Sequence, residues 1–255
     1  MSQTSSDAKH AERGAPSYVW RFGQQRRLAM IRRWSPPELE MILVDGCGLG
    51  QYAAHLLEDS PHVYAFDIEL ERVQVAQQHV PNAHVAASEY KPYPPNTFDL
   101  ILSNEVIEHV QDDGLALRDM ARLLKPGGRI VLFCPNRWYP FETHGHYFRG
   151  EYHFGNTPLI NYLPNGLRNR LAPHVRAYTR RDLLTLIRPL PLKIIHSTRI
   201  FGGYDNITTR FPSLGKALRA VLYGFEQTPL RVFGLSHLMV LEKTTAPAKI
   251  DPDPH

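Results

Sequence analysis

Three glycines alternate in the segment 46–50, directly after the apolar run 41–44. The apolar run predicts a buried strand, and residues 51–58 favour a helix. A glycine-rich turn between a strand and a helix lets a ligand approach backbone N–H groups closely. Asp67 ends a second apolar run about 20 residues further on, where a carboxylate accepts hydrogen bonds from ribose hydroxyls. The pattern therefore predicts a site for a ligand that contains a nucleoside.

Two later motifs narrow the class of ligand. Residues 98–109 read FDLILSNEVIEH, and residues 124–128 read LKPGG. Together with the GCGLG turn, they resemble the class I S-adenosylmethionine-dependent methyltransferases, in the type-11-like branch. The resemblance is close over residues 40–136 and looser over the last predicted strand. It implies a methyltransferase with S-adenosylmethionine as cofactor, and an α/β fold: a doubly wound, mostly parallel, seven-stranded Rossmann-like sheet with a cap inserted after the fifth strand.

The resemblance also implies which residues contact the cofactor. The backbone of the glycine turn would surround the amino-acid and ribose portions of the cofactor. Asp67 would accept hydrogen bonds from both ribose hydroxyls, and Ile68 would pack on the adenine. Ser103 and Asn104, just past a strand end, face the methionyl portion. The cofactor-binding residues predicted in this way are Asp45, Gly46, Cys47, Gly48, Gly50, Asp67, Ile68, Ser88, Glu89, Ser103 and Asn104.

Two positions depart from the family pattern. The first acidic residue of the family stands two positions before the first glycine, where this chain has Val44, and Asp45 is adjacent to that glycine instead. The loop after the third strand often carries an aspartate for the adenine amino group, where this chain has Ala87. Ser88, Glu89 or backbone groups are the substitutes. These departures leave open a non-catalytic cofactor-binding partner protein on the same fold, although the intact turn favours an enzyme.

Three histidines are candidates for a general base. A hydroxyl acceptor needs a base for its proton, and histidine is the usual one. His109 follows the fourth predicted strand, and His144 and His146 lie in an irregular segment with carboxylates nearby. The alternative is that these histidines only bond to neighbouring backbone groups. The His-x-His spacing matches no familiar zinc site and no cysteine joins it, so we predict no metal.

The segment 152–181 is basic, with five arginines and no acidic residue. Such a run is suited to a phosphate, a carboxylate or an anionic lipid surface. Arginines interleaved with aromatic residues also suit stacked RNA bases. Solvated arginines without a ligand are the third alternative, and the sequence alone leaves all three open.

The motifs favour O-methylation of a small molecule, such as a lipid, a quinone or a sugar-containing metabolite. Methylases of base amines often carry an Asn/Asp-Pro-Pro-Tyr-like motif after the fourth strand, whereas residues 103–106 here read SNEV. We therefore expect a small-molecule acceptor, anionic or lipid-like, and not nucleic acid. RNA methylation remains the alternative enzyme activity, and the oligomeric state stays open.

Alternation of apolar runs and helical patterns predicts a parallel sheet with helices on both faces. Helices are expected over 17–34, after Asp67, and from Asp113 to Lys125. The segment 136–178 is expected to be an ordered cap with short helices, and a second insertion over 201–225 to contain a helix from 214 to 225. The expected strands are 41–45, 62–66, 83–87, 98–103, 129–134, 192–199 and 235–242.

The 255 residues suit a single domain over 16–243, with disordered tails at 1–15 and 244–255. The net charge of +4 does not indicate which class of partner the protein binds. Cys47 and Cys134 are expected to be small buried residues and not a disulfide. The N-terminus lacks the apolar core of a signal peptide, and no apolar stretch is long enough to span a membrane. We therefore expect a cytoplasmic protein, with peripheral membrane contact left open.

Overall fold

A computed structural model describes residues 19–244 of the chain. Its strands are β1 (Met41–Asp45), β2 (His62–Asp67), β3 (Ala83–Val85), β4 (Phe98–Asn104), β5 (Leu124–Pro135), β6 (Phe141–Glu142), β7 (His146–Phe148), β8 (Glu151–His153), β9 (Thr157–Pro158), β10 (Leu192–Ile200) and β11 (Ser236–Lys243). Seven of them form one sheet in the order β10-β11-β5-β4-β1-β2-β3. The pairs β1–β2, β1–β4, β2–β3 and β4–β5 are parallel. The predicted α/β, mostly parallel seven-stranded sheet is confirmed.

The helices that accompany the strands also follow the predicted alternation. The α-helices are α1 (Phe22–Trp34), α2 (Gln51–Leu56), α3 (Leu70–Ala76), α4 (Asp113–Leu123), α5 (Asn165–Leu171), α6 (Arg180–Ile187), α7 (Asp205–Arg210) and α8 (Pro212–Phe225). Two short 3-10 helices lie at Ile160–Tyr162 and Pro229–Phe233. The predicted tails fall largely on residues 1–18 and 245–255, outside the described residues.

The central strands β1 and β4 are buried along most of their length. A parallel strand in the middle of a sheet is covered on both faces, so its sequence is a continuous apolar run and does not alternate. The strand order changes direction between β1 and β4, and open α/β sheets bind ligands outside the carboxyl ends of the strands at such a point. The ends of β1, β2 and β4 are therefore the edge of the sheet where a cofactor is expected.

Helix α4 ends two residues earlier than predicted. Asp112 caps its N-terminus by accepting a hydrogen bond from Leu115 N at 2.8 Å. Leu124 is already extended and begins β5, because the residues that lead into Pro126 disfavour helix. The Lys125 ammonium lies 2.9 Å from the Asp99 carboxylate on β4.

Several predicted boundaries also differ by a few residues. Helix α1 begins at Phe22, whereas its predicted start at residue 17 lies outside the described residues, and β3 ends at Val85 and not at residue 87. Strand β5 begins at Leu124, well before the predicted residue 129. These ends depend on pairing with neighbouring strands and on tertiary packing, which local patterns do not specify.

The chain divides into two compact units. The sheet unit contains Leu28–Phe133, Arg180–Ser197 and the described residues 239–244. The insertion unit contains the described residues up to Arg27, Cys134–Thr179 and Thr198–Leu238. The single-domain boundaries drawn from the sequence stay a prediction.

Within the insertion unit, the segment 136–178 contains short helices, as predicted, at Ile160–Tyr162 and Asn165–Leu171, together with short paired strands that we did not predict. β6 pairs with β9, and β7 pairs with β8, in antiparallel fashion. Tyr147 and Tyr152 face each other across the second pair, with ring centroids 5.3 Å apart. Aromatic cross-strand pairs of this kind stabilise short hairpins. This segment is rich in aromatic residues, which can form such pairs.

No helix within residues 19–244 is long and apolar enough to cross a membrane. Cys47 and Cys134 are free thiols, the first half-buried and the second buried. The cytoplasmic location stays a prediction.

Candidate cofactor and active site

The turn after β1 is left-handed at each of its three glycines. The φ angles are 63° at Gly46, 54° at Gly48 and 80° at Gly50. Residues with a Cβ adopt this conformation only at a cost, whereas glycine does so freely. The alternating glycines of the sequence are therefore what allows the chain to turn sharply from β1 into α2.

The three glycines nevertheless serve different purposes. A Cβ at Gly46 would lie 2.4 Å from the Val106 side chain, and one at Gly50 would lie 2.8 Å from Ala76 Cβ. Those two glycines are required by close packing inside the sheet unit. A Cβ at Gly48 would meet nothing within 4 Å. Gly48 is thus the position where bare backbone borders open space, as a ligand site requires.

The carboxylate of Asp67 is fixed to this turn by backbone hydrogen bonds. Its Oδ2 accepts from Gly48 N at 2.9 Å, and its Oδ1 accepts from Glu69 N at 3.0 Å. Cys47 N donates to the Phe66 carbonyl at 2.7 Å, which ties the turn to the end of β2. The predicted glycine turn and the predicted acidic strand end therefore lie next to each other, and the acid is held in one orientation.

Asp45, whose role the sequence left uncertain, is buried beneath the turn. Its Oδ1 accepts a hydrogen bond from the Ser88 hydroxyl. The Lys91 ammonium donates to the Ser88 carbonyl and lies 3.8 Å from the Asp119 carboxylate. Burial raises the pKa of Asp45, and the nearby charge of Lys91 and hydrogen bonding from Ser88 oppose that rise. Asp45 thus joins the loop after β3 to the end of β1.

Two buried oxygens remain at the ends of β1 and β4. Asp45 and Ser103 are neighbours in register on these strands, and both are buried. Within the described residues 19–244, neither Asp45 Oδ2 nor Ser103 Oγ has a hydrogen-bond partner of good geometry, although the Ser103 hydroxyl is close enough to Asp45 to oppose the rise of its pKa. Buried polar atoms are normally hydrogen-bonded, so unsatisfied ones at a strand end are typical of a binding site.

The other predicted cofactor residues have varied surroundings. Glu89 Oε1 accepts from Gln111 N at 2.8 Å, so its carboxylate is engaged by the loop before α4. The side chain of Ile68 is exposed, and Asn104 ends β4. Glu105 follows with a left-handed φ of 57°, and its N–H donates to the Phe133 carbonyl at 3.0 Å. Backbone strain of this kind in a residue with a Cβ is frequent at functional sites.

In the insertion unit, His144 is held by a buried carboxylate. His144 Nδ1 lies 3.1 Å from Glu142 Oε1, and the His144 backbone N–H donates to the same oxygen at 3.0 Å. The other oxygen of Glu142 accepts from Arg168 Nη2 at 2.9 Å. Arg168 also donates to the Val175 carbonyl at 2.5 Å. Glu142 and Arg168 are both almost fully buried, so their charges are compensated mainly by each other.

These contacts determine the charge of Glu142. Burial alone would raise its pKa, but hydrogen bonds from His144 and the charge of Arg168 outweigh burial and lower the pKa from 4.5 to about 2. The carboxylate is therefore ionised at neutral pH and can only accept hydrogen bonds. It follows that His144 Nδ1 is the donor of their shared hydrogen bond.

The backbone of His144 is fixed as well. Its carbonyl accepts from the Tyr152 hydroxyl at 2.6 Å and from His174 Nε2 at 3.1 Å. Burial lowers the pKa of His174, which keeps that ring neutral. The position of His144 is therefore set from both its side chain and its main chain.

The other two candidate bases have weaker support. His146 Nδ1 lies 3.0 Å from the Thr157 hydroxyl, and its ring stacks on His153 with centroids 5.3 Å apart. In the sheet unit, His109 Nε2 lies 4.0 Å from Glu108 Oε1, too far for a hydrogen bond. For His144, the structure shows a carboxylate at hydrogen-bond distance.

Comparison with known proteins identifies the sheet unit. The model of a family described as "Methyltransferase domain" matches residues 43–132. Residues 43–132 therefore carry a methyltransferase domain. The predicted enzyme class is confirmed for this domain, and S-adenosylmethionine is the cofactor that the sequence predicts for it.

Curated relatives resemble the methyltransferase domain at moderate identity. Phosphoethanolamine N-methyltransferase of Triticum aestivum is 31% identical over 119 residues, which are 43% of this chain and 24% of that protein. Ubiquinone biosynthesis O-methyltransferase of Albidiferax ferrireducens is 29% identical over 193 residues, which are 72% of this chain and 71% of that protein. The chain spans less than half the length of several other curated relatives that it matches.

The fold of the methyltransferase domain is also found in solved structures. A crystal structure of an S-adenosylmethionine-dependent methyltransferase from Mesorhizobium loti has a TM-score of 0.59 and 18% sequence identity. The match covers 87% of this chain and 98% of that one. At this identity the likeness concerns the fold alone.

The residues around the turn of the methyltransferase domain fit S-adenosylmethionine. Gly48 borders open space, and the carboxylate of Asp67 stands beside it with further acceptor capacity for a ribose diol. Asp45 Oδ2 and Ser103 Oγ are polar atoms that need partners.

Sequence analysis of the methyltransferase domain missed some of the surrounding groups. Lys91 and Asp119 were not considered, although they complete the buried network around Asp45. In the insertion unit, Arg168 was counted in the basic run for which an anionic ligand, RNA bases or solvent were the alternatives, whereas it is buried against Glu142. These residues belong to no motif, so no signal in the sequence would have identified either contact.

Proposed function

We propose that this protein transfers a methyl group from S-adenosylmethionine to a hydroxyl oxygen of a small molecule. The sulfonium centre of the bound cofactor supplies the electrophilic methyl group. The reaction is an in-line displacement, and proximity and orientation of this kind contribute about 7–11 kcal/mol to catalysis. The protein therefore has two tasks, which are to hold both reactants in line and to take the hydroxyl proton.

His144 is the residue that we propose for the proton. Because its Nδ1 donates to the ionised carboxylate of Glu142, Nε2 is the ring nitrogen that we propose to accept the proton. A carboxylate in this position also stabilises the imidazolium that forms when the proton arrives. This hydrogen-bonded pair is the single observation that carries the proposal of oxygen as the methylated atom, because an amine with a lone pair has less need of such a base.

The glycine turn and Asp67 are the proposed cofactor site. We propose that the backbone at Gly48 contacts the cofactor, that Asp67 accepts the ribose hydroxyls, and that Ser103 faces the methionyl portion. The support is the open space at Gly48, the fixed orientation of the Asp67 carboxylate and the unsatisfied hydroxyl of Ser103. We propose that Asp45 stabilises the site through the hydrogen bond that it accepts from Ser88.

Two curated relatives bear on the class of acceptor. The Albidiferax relative is named for O-methylation in ubiquinone biosynthesis, and it matches over most of both chains. The wheat relative is named for N-methylation of phosphoethanolamine, a compound that carries a phosphate. We propose an acceptor that combines a hydroxyl with an apolar or anionic portion, in the class of lipids and quinones.

A direct search for the acceptor tests this proposal. Purified protein and methyl-deuterated S-adenosylmethionine are incubated with a metabolite extract, and mass spectrometry follows compounds that gain one labelled methyl group. A Gly48→Val variant, which should not bind the donor, is the control. A labelled lipid or quinone methyl ether supports the proposal, whereas label found only in a parallel RNA digest or only on nitrogen contradicts it.

The remaining alternative, a protein that binds the cofactor without catalysis, gives a different result in the same experiment. Calorimetry would then detect donor binding while no compound gains the label. Labelled product that depends on His144 excludes this alternative.

A further inference from the structure

Helix α8 of the insertion unit has an exposed apolar face. Its apolar side chains recur every three or four residues, so they lie on one side of the helix. Leu214 is 61% exposed and Val221 is 54% exposed, and Gly215 is the one residue of the helix that is buried. The residues of this face are Leu214, Leu218, Val221, Leu222 and Phe225.

Neighbouring residues enlarge this apolar surface. Phe211, which directly precedes the helix, is 52% exposed. The 3-10 helix Pro229–Phe233 contacts α8 and exposes Leu230 and Phe233. Large contiguous apolar surfaces on a folded protein are typical of interaction sites.

The charges around α8 are positive. Residues 206–225 contain no aspartate or glutamate. The acids at either side are in ion pairs, Asp205 with Arg219 at 2.9 Å and Glu226 with Arg26 at 2.5 Å. The exposed cations Arg210, Lys216 and Arg231 therefore have no exposed carboxylate on or directly beside the helix.

The same excess of positive charge extends through the whole insertion unit. Its described residues include thirteen lysines and arginines but only four aspartates and glutamates, an excess of nine, whereas the entire chain has a net charge of +4. The remainder of the chain is therefore acidic overall. Such separation of charge directs the insertion unit toward an anionic surface.

We propose that α8 docks on the surface of an anionic lipid bilayer. The apolar face enters the boundary between headgroups and acyl chains, while Arg210, Lys216 and Arg231 pair with lipid phosphates. At 14 residues the helix is about 21 Å long, which suits an orientation along the membrane plane. This docking does not depend on the proposed methyl transfer, although it would bring the protein to a lipid-soluble acceptor.

Vesicle flotation with the full chain tests this proposal. We expect binding to vesicles of phosphatidylcholine with about 30 mole per cent phosphatidylglycerol, and little binding to phosphatidylcholine alone. High ionic strength should weaken the binding, because it screens the exposed charges.

Variants of α8 assign the binding to this helix. The double variant Leu214→Gln and Val221→Gln should lower the partition coefficient at least about ten-fold, because it removes the most exposed apolar groups. The double variant Arg210→Ser and Lys216→Ser should lower it about five-fold per cation. Val75→Gln and Arg118→Ser are the matched controls on the sheet unit, and neither should change it.

Each other outcome overturns the proposal. Equal binding to neutral and anionic vesicles contradicts the role of charge, and binding that survives the α8 variants assigns the membrane contact to another surface. Failure to bind either vesicle rejects membrane docking. Self-association in analytical ultracentrifugation that Leu214→Gln abolishes, with no vesicle binding, assigns the face to a second copy of this chain. Circular dichroism and calorimetry with S-adenosylmethionine show that each variant is folded.

Discussion

The glycine turn of the sheet unit and the His144 cluster of the insertion unit use different physical means. The turn presents backbone N–H groups and one carboxylate that backbone donors hold in place. The cluster consists of side chains, in which a buried carboxylate bridges a histidine and an arginine. The turn should therefore tolerate changes of side chain but not the loss of glycine, whereas the cluster should respond to charge and to pH.

The two regions also differ in what happens when one part is lost. If Asp67 is replaced, the glycine turn should keep its backbone conformation, because glycine adopts positive φ angles freely and Gly46 and Gly50 are closely packed. A buried ion pair without one partner leaves an uncompensated charge in a medium of low dielectric constant. The loss of one side chain should therefore disturb the cluster more than the turn.

Replacement of His144 by Gln should have the largest effect, on turnover. Loss of a general base lowers the rate of a proton-dependent step about 100- to 10,000-fold. The affinity for S-adenosylmethionine should stay the same, because the turn holds the donor. Steady-state kinetics and calorimetry measure the two quantities. His146→Gln is the matched control. A loss of turnover in that variant but not in His144→Gln would show that His146, and not His144, is the base.

Replacement of Arg168 by Met should destabilise the insertion unit. The change leaves Glu142 buried without its cation, which costs about 3–5 kcal/mol of unfolding free energy. The double variant Glu142→Gln with Arg168→Met removes both charges and should be less destabilised than the sum of the two single variants. Chemical denaturation measures all three, and simple additivity would show that the pair is not coupled.

Acid should weaken the fold through Glu142 in a defined pH range. Its pKa is lowered from 4.5 to about 2 in the folded state, so the unfolded chain takes up the proton first as the pH falls. The stabilisation is complete above pH 4.5 and is lost as the pH falls towards about 2, with a total of roughly 3 kcal/mol. Denaturation curves in this range should therefore change more steeply with pH for the natural protein than for Glu142→Gln. Equal slopes would contradict the contact with Arg168 and His144.

Replacement of Cys47 by Ser should have the smallest effect. Burial and the nearby charge of Asp67 raise the pKa of its thiol to about 12, so the thiol is neutral and unreactive at physiological pH. Donor affinity should change by less than about three-fold, because the turn contributes backbone and not side-chain groups at this position. Rapid alkylation of Cys47 by iodoacetamide at neutral pH would show that the thiol is ionised and would refute this view.

The same contrast explains how much could be predicted from the sequence. The sheet, the glycine turn and Asp67 follow from short patterns, because glycines with positive φ and a strand-end acid carry local signals. The spacing between the turn and Asp67 is set by one strand, one helix and a second strand, which the periodicity of the chain also reveals.

The cluster could not be predicted in this way. Glu142 and Arg168 are 26 positions apart, and Glu142 lies on a short antiparallel strand that the sequence did not predict. The burial of Asp45 against Ser88 and Lys91 likewise results from tertiary packing. Side-chain contacts between distant segments carry no periodic or local signal, so they could not be inferred from the sequence.

The central claim is that S-adenosylmethionine binds at the backbone of the glycine turn, and two glycine variants test it most directly. Gly48 and Gly127 both have positive φ angles, 54° and 79°, and a Cβ at either would meet nothing within 4 Å. Replacement of either by Val therefore imposes a similar backbone strain, but only Gly48 lies in the turn. Calorimetry with S-adenosylmethionine should show affinity lowered at least about 100-fold in Gly48→Val and unchanged in Gly127→Val. Equal affinities in both variants, with circular dichroism confirming the fold, would contradict the claim.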